Sequence, residues 1–332
     1  MKKKFVSLLL VSALAVSMTA CGSSGKSDNA KSTTSASAEK DTDTYRIGIC
    51  QLLEHEALDA ATKGFKDALT EKLGDKVIFD EQNAQGEATN CGTICNKFVS
   101  NDVDLILANA TGALQAASSA TDQIPILGTS ITDYATALGM KDFTGSKNIS
   151  GTSDIAPLDQ QAAMIKELVP DVTQVGILYC SAEPNSKYQA VQIEKYLDKE
   201  GIAYKEYTAA DSNEIQSATT NACSECDALY VPTDNTMAAS VDVIKNIAIP
   251  AKVPMIAGEQ GICDGGIATL SINYYDLGYE TGEMAYEILV NGADIKTMEI
   301  KTAPKTTKMY NKTNCEALGI TVPEGYEPLP EE

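Results

Sequence analysis

Short, unbroken apolar runs alternate with longer amphipathic segments from Tyr45 onward, and this alternation limits the possible folds more than any other feature. The runs are Arg46–Cys50, Val77–Phe79, Leu105–Ala108, Pro125–Leu127, Val175–Cys180, Ala203–Tyr207, Ala228–Val231, Pro254–Ala257 and Ala268–Ile272. Between them the spacing predicts helices over Glu56–Leu73, Glu87–Val99, Thr111–Thr121, Leu158–Val169, Asn185–Glu200, Ser212–Cys223, Thr236–Ile247 and Leu277–Val290. Strands that are apolar on both faces must be covered on both faces, so this order implies parallel sheets with helices on each side. The pattern is also duplicated. Asp104–Thr111 (DLILANAT) matches Asp227–Asp234 (DALYVPTD), and Pro125–Thr129 (PILGT) echoes Pro254–Glu259 (PMIAGE). The expected fold class is therefore α/β, with two doubly wound parallel-sheet lobes joined by a multi-strand hinge into a clamshell. Ser150–Asp154 carries the chain across and Ser271–Asn273 brings it back, giving a first lobe of 45–151 with 273–297 and a second of 152–272 with 298–332.

The chain before Tyr45 has a different character. Lys2, Lys3 and Lys4 precede an apolar stretch, Phe5–Ser17, that is too short to span a bilayer as a mature helix. It ends in Met18-Thr19-Ala20-Cys21-Gly22, where small residues before a cysteine form a lipobox. The expectation is a signal peptide over 1–20, a diacylglycerol on Cys21, and a flexible tether over 21–44 that is too polar to bury a core. The protein then sits lipid-anchored at the extracytoplasmic face of a bacterial membrane, as a monomer. Formal net charge is −20, and cleavage would remove three lysines and no acid. Such a surface repels phosphate backbones and anionic headgroups, which excludes nucleic-acid work.

Eight cysteines remain beside Cys21: Cys50, Cys91, Cys95, Cys180, Cys223, Cys226, Cys263 and Cys315. Cys50 and Cys180 end apolar strands, where a free thiol behaves as a small hydrophobe. The CxxxC and CxxC pairs fall in different lobes, against a shared zinc site. Free thiols are expected, with no metal and no cofactor.

Ligands of open parallel sheets bind beyond the carboxyl ends of the strands. Those ends carry Gln51 and His55, then Ala110 and Thr111, then Thr129 and Ser130, with Asp154 at the first crossing. The second lobe supplies Ser181, Glu183, Asn185 and Ser186, then Asp234 and Asn235, then Glu259, and the return crossing adds Asn273. Each is also ordinary loop or helix-cap chemistry; their recurrence at equivalent ends of both lobes marks them as candidates.

Several stretches carry a resemblance. Gly48–Asp59 (GICQLLEHEALD) is similar to the opening of one branch of ABC-transporter substrate-binding lipoproteins, with Glu56 where that branch has proline. Ala110-Thr111, Gly128–Asp133, Gly151–Asp154, Tyr230–Thr236 and Ile272–Gly278 follow in the same order. The resemblance implies the type I periplasmic-binding-protein fold, a small-molecule ligand of the tryptophan or phenylalanine class, and an ABC permease with its ATPase as partner. For such a zwitterion, the start of the Thr111 helix with Thr129 and Ser130 would take the carboxylate. Asp154, Asp234 or Glu259 would take the ammonium, Asn185, Ser186, Asn235 and Asn273 would orient it, and Tyr179 or Tyr274 would pack on its ring. The absence of tryptophan from the chain is in keeping with a protein made when that amino acid is scarce.

Catalysis finds little support. His55 is the single histidine, and no nucleophile elbow, H-E-x-x-H or phosphate loop is present. The remaining alternatives are a sugar or nucleoside ligand, a sensor of the same fold, or, last, redox chemistry at Cys223 and Cys226.

Overall fold

The computed structural model describes residues 44–143, 148–303 and 305–330. The signal peptide, Cys21 and all of the tether except Thr44 lie outside the described residues. In chain order the elements are β1 (Tyr45–Gln51), α1 (Glu56–Leu73), β2 (Val77–Asn83), α2 (Ala88–Ser100), β3 (Leu105–Asn109), α3 (Thr111–Ala120), β4 (Ile126–Ile131), α4 (Tyr134–Ala137) and β5 (Ile149–Ser153). There follow α5 (Leu158–Leu168), β6 (Gln174–Cys180), α6 (Pro184–Glu200), β7 (Ala203–Ala209), α7 (Ile215–Glu225), β8 (Ala228–Val231), α8 (Asn235–Ala238), α9 (Val241–Ala251), β9 (Met255–Ala257) and β10 (Ala268–Ile272). The last are α10 (Tyr274–Leu289), β11 (Lys301–Thr302), β12 (Thr306–Tyr310), α11 (Lys312–Leu318) and β13 (Glu327–Pro328).

Two sheets result. The first has six strands in the order β11-β5-β4-β3-β1-β2, and the second seven in the order β13-β12-β10-β9-β8-β6-β7. All pairings are parallel except β10 with β12. Period-two alternation sends each strand's side chains to opposite faces. In the first sheet Ile47, Ile49, Leu105 and Leu107 meet Phe65, Leu69 and Met284 on one side. Cys50, Ile106 and Ala108 meet Phe98 and Leu114 on the other. The second sheet divides the same way, with Val175, Ile177 and Tyr230 against Ile165 and Ile193, and Leu178, Leu229 and Val231 against Ile215 and Ile244.

Helix α10 returns from the second lobe and lies on α1. A Cβ on Gly278 would stand 1.9 Å from Ala61 O, and one on Gly64 2.1 Å from Tyr275 O. Only glycine permits so close a crossing, and it fixes the return crossing to the first lobe.

Sheet membership places the crossings a few residues beyond those read from the sequence. Ile149–Ser153 is a buried strand of the first sheet, and Lys301–Thr302 pairs with Thr152–Ser153. The chain therefore crosses after Ser153 and after Thr302, not at 151/152 and 297/298. The Thr236–Ile247 helix is two helices, α8 and α9, and the Ser212–Cys223 helix opens with a 3-10 turn over Ser212–Glu214.

Candidate functional site

Between the sheets, at the carboxyl ends of their strands, lies a small cavity of about 10 Å3. The first lobe lines it with His55, Ala57 and Leu58 from the start of α1 and with Ser130 and Thr132 from the end of β4. The second lobe adds Asn185, Thr233, Asp234, Asn235 and Glu259, while Asp154 and Tyr274 come from the first two crossings. Its volume is room for about one water, well under the roughly 300–1,000 Å3 usual for ligand pockets, so a ligand of that size needs the lining to move apart.

The first lobe holds His55 through buried amides. Gln51 donates to Leu53 O (2.8 Å) and Asp59 Oδ1 (2.6 Å) and accepts from Thr62. Asn109 donates to Leu58 O (2.8 Å) and Thr62 Oγ1 (2.9 Å). These bonds pin the β1–α1 turn, and His55 at its end contacts Asn235 Oδ1 of the second lobe through Nε2, at 3.2 Å. At the hinge end Tyr274 donates its phenol hydrogen to Asp154 Oδ2 (3.0 Å). Gln260 donates to Glu56 Oε1 (2.9 Å) across the same gap.

Two strained residues mark this region. Ser130 has φ +56° and Ala110 φ +84°, conformations that cost a non-glycine residue about 1–3 kcal/mol and cluster at functional sites. Ser130 sits where the register of β4 against β5 shifts, a kink braced by Tyr134 donating to Gly128 O (3.0 Å) and Thr152 O (3.1 Å).

Four side-chain atoms of lining residues are buried with no hydrogen-bond partner in the protein: His55 Nδ1, Ser130 Oγ, Asp154 Oδ1 and Asn185 Oδ1. Unpaired polar atoms are rare in protein interiors, so a group of them around one cavity points to a polar ligand. Three buried carboxyls surround them. Burial pushes Asp154 up to about 6, against the opposing pull of the Tyr274 and then the Thr132 hydroxyl. Burial likewise pushes Glu259 up to about 7, although the N–H groups of Gly261 and Ile262 bond its oxygens. Asp234 is raised by burial, then by Glu183, and both its oxygens are used, by Cys180 N (2.7 Å) and Met237 N (2.8 Å). Asp154 alone of the three has an oxygen without a protein partner.

The sequence profile described as "ABC transporter substrate binding protein" matches residues 46–331. The chain belongs to that family. The substrate-binding protein is 36% identical over 328 residues to a tyrosine-binding protein of Clostridioides difficile (strain R20291), covering 96% of this chain and 93% of the relative. Among solved structures, an ABC domain in complex with L-Trp from Streptococcus pneumoniae is 34% identical, covers 85% of this chain and 96% of its own, and superposes with a TM-score of 0.81. A ligand-free, open substrate-binding protein with adhesive properties from Clostridium difficile is 37% identical, covers 87% and 100%, and has a TM-score of 0.67. A leucine-binding protein from Thermotoga maritima, 14% identical over 76% of this chain and 84% of its own, shares the fold at a TM-score of 0.60. The chain is thus a binding protein of the type I periplasmic fold and not an enzyme, and among the described residues no helix is long and apolar enough to cross a membrane.

Of the residues picked out in the sequence, His55, Ser130, Asp154, Asn185, Asp234, Asn235 and Glu259 line the cavity of this substrate-binding protein. The others stand behind it or away from it. Gln51 braces the turn below His55. Thr129 is buried within the sheet and accepts from Thr152 Oγ1, which also bonds Thr281. Ala110 and Thr111, at the start of α3, are buried but do not line the cavity, so its hydroxyl corner is Ser130 with Thr132. Glu183 caps α8, taking bonds from the backbone and side chain of both Asn235 and Thr236. Ser186 points at Thr233 O, Ser181 is exposed beside Ala209 O, and Asn273 is exposed and caps α10 through Asp276 N. Tyr179 lies outside the cavity, bonded to Glu206, whereas Tyr274 lines it. Thr233 lines it as well, at the carboxyl end of β8 beside Asp234, whereas Thr132, Ala57 and Leu58 are lining residues that strand-end reasoning missed: Ala57 and Leu58 lie inside α1, and Thr132 stands two residues beyond Ser130. All eight described cysteines are free, seven of them buried.

Proposed function

We propose that this substrate-binding protein captures an aromatic amino acid outside the cell and presents it to an ABC permease powered by its ATPase. The observation that carries the reading is the small cavity with four partnerless buried polar atoms drawn from both lobes and the first crossing. The names of the relatives support the ligand class, one being a tyrosine-binding protein and another a complex with L-Trp. Asp154 Oδ1 accepts the ammonium group, a charge-assisted bond of about 1.5–3 kcal/mol. The hydroxyls of Ser130, Thr132 and Thr233 are donors for the carboxylate. Leu58 and Ala57 supply apolar surface for the side chain. The lobes close on the ligand about the crossings, and the closed form docks on the permease. Cys21, acylated, keeps a monomeric body tethered to the membrane by 21–44.

A thermal-shift screen of the purified protein tests this. Tyrosine, tryptophan or a relative is expected to raise the melting temperature as mass action requires, and Cys21→Ala to release the protein from cells into the medium. A shift with a sugar or nucleoside and none with any amino acid would overturn the substrate class.

A further inference from the structure

Glu183 sets the direction of the hydrogen bonds at the mouth of the cavity. An ionised carboxylate only accepts, so the Asn235 amide turns Nδ2 to Glu183 Oε2 (2.6 Å) and Oδ1 to His55. That carbonyl oxygen also only accepts, so His55 Nε2, 3.2 Å away, carries the hydrogen. Burial holds the imidazole below its ordinary 6.5, and the ring is neutral at pH 7. Nδ1 is then a bare lone pair, buried and without a protein partner. Asn185 is oriented in the same way. Its Nδ2 lies 3.1 Å from the same Glu183 oxygen, 3.2 Å from Ser186 Oγ and 3.2 Å from Thr233 O, which leaves Oδ1 as a second buried, unpaired acceptor. His55, Asn235, Glu183 and Asn185 therefore form one connected set ending in two acceptors. Both Asn185 and Asn235 also border the outer interlobe groove, which places this set at the mouth. Asp154 and Tyr274 stand at the opposite, hinge end. No lysine or arginine lines the cavity among the described residues.

We propose that the side chain of the bound amino acid brings a hydrogen-bond donor of its own, a phenol O–H or an indole N–H, whose single hydrogen is received by His55 Nδ1. The inference rests on the amino-acid reading above, with the ammonium at Asp154 and the side chain toward the mouth. A plain phenyl ring brings no donor and leaves that buried acceptor unpaired. Sites built around such a bond reject the analogue lacking it far more strongly than they reject a missing methylene. His55 thereby becomes a specificity-determining residue, and phenylalanine drops out of the ligand class that the resemblance suggested.

Calorimetric titration of the purified protein with L-tyrosine, L-tryptophan and L-phenylalanine tests the selectivity. Phenylalanine is expected to bind about a hundredfold or more weakly than the better of the other two. Binding within tenfold of both would overturn the inference while leaving the amino-acid reading intact, whereas no binding by any of the three would overturn that reading and the inference with it. A second measurement is independent of affinity. His55 is the single histidine, so 15N-histidine labelling of protein without a histidine tag gives one imidazole in the NMR spectrum. The protein saturated with ligand is expected to show the neutral Nε2–H form. The Nδ1 resonance is expected to move upfield when tyrosine or tryptophan is added, as a nitrogen accepting a hydrogen bond does. A hydrogen on Nδ1, or an Nδ1 signal indifferent to a ligand that binds, would overturn the assignment.

Discussion

Asp154 is a carboxyl that the fold buries with one oxygen left for a group from outside the protein. It is 4% exposed, and its ionisable neighbours are Tyr274, Tyr134 and Glu259. With its pKa at about 6 against an ordinary 3.8, the folded, unliganded protein holds this proton more tightly than the unfolded chain does. Its contribution to stability is therefore present at low pH and is lost as pH rises through about 6. An ammonium group reverses the preference, because it favours the ionised form. Binding of the amino acid is then expected to strengthen from pH 5 to about 7, by up to tenfold per pH unit for one released proton. Asp154→Asn should lower affinity by about 1.5–3 kcal/mol, roughly ten- to hundredfold, and remove the part of the pH dependence centred near 6. Any part due to Glu259, at about 7, would remain. Titrations from pH 5 to 8 on both proteins decide it, and an unaltered pH profile in Asp154→Asn would place the ammonium elsewhere.

At the level of elements, the α1–α10 crossing is the firmest joint between the returning chain and the first lobe, and it depends on missing side chains. Gly278→Ala drives a methyl to 1.9 Å from Ala61 O, where backbone cannot yield. The expected loss is about 1–3 kcal/mol, several degrees of melting temperature. Gly92→Ala on α2 meets nothing within 4 Å and should instead add about 0.5–1 kcal/mol by favouring helix. Thermal melts of the two variants are expected to shift in opposite directions. Neither glycine's role is visible in the sequence, because the partner lies some two hundred residues away in one case and is absent in the other. What the sequence does carry is the element order. Buried strands such as Leu105–Asn109 announce themselves by unbroken apolar runs, and Glu56–Leu73 shows its full extent in its helical spacing. β5 escapes that logic because Ser150-Gly151-Thr152-Ser153 is small and polar. It is nevertheless buried, its hydroxyls bonded to Thr129, Thr281, Met298 O and Thr132 O. The site was legible to the same degree. The strand-end rule reaches His55, Ser130, Asp154 and Asn185, yet Asn273, Glu183 and Asp234 cap helices with the same residue types. Caps and ligand contacts need the same oxygens, and only the fold tells which ones are already used.

For the whole molecule, the hydrogen bonds that join the lobes among the described residues bear on closure. Across the gap stand His55 with Asn235 and Gln260 with Glu56, and Gln189 Nε2 lies 3.5 Å from Thr132 Oγ1. Such bonds contribute about 1 kcal/mol apiece at most generous count, whereas an unpaired buried polar atom costs about 1–3 kcal/mol. Closing without a ligand seals in four of them. On the hinge-closure proposal, the balance favours an open unliganded protein, and a ligand that pairs these atoms tips it to the closed form by its differential affinity. Small-angle scattering makes the consequence measurable. Without ligand the radius of gyration is expected to exceed that of the closed structure, and saturating tyrosine or tryptophan should bring it down. Asp154→Asn should need more ligand to reach the same end point. If the unliganded protein already scatters as the closed form, and a ligand that demonstrably binds leaves the curve unchanged, then the lobes do not close on their substrate. The permease would then have to recognise something other than the angle between them.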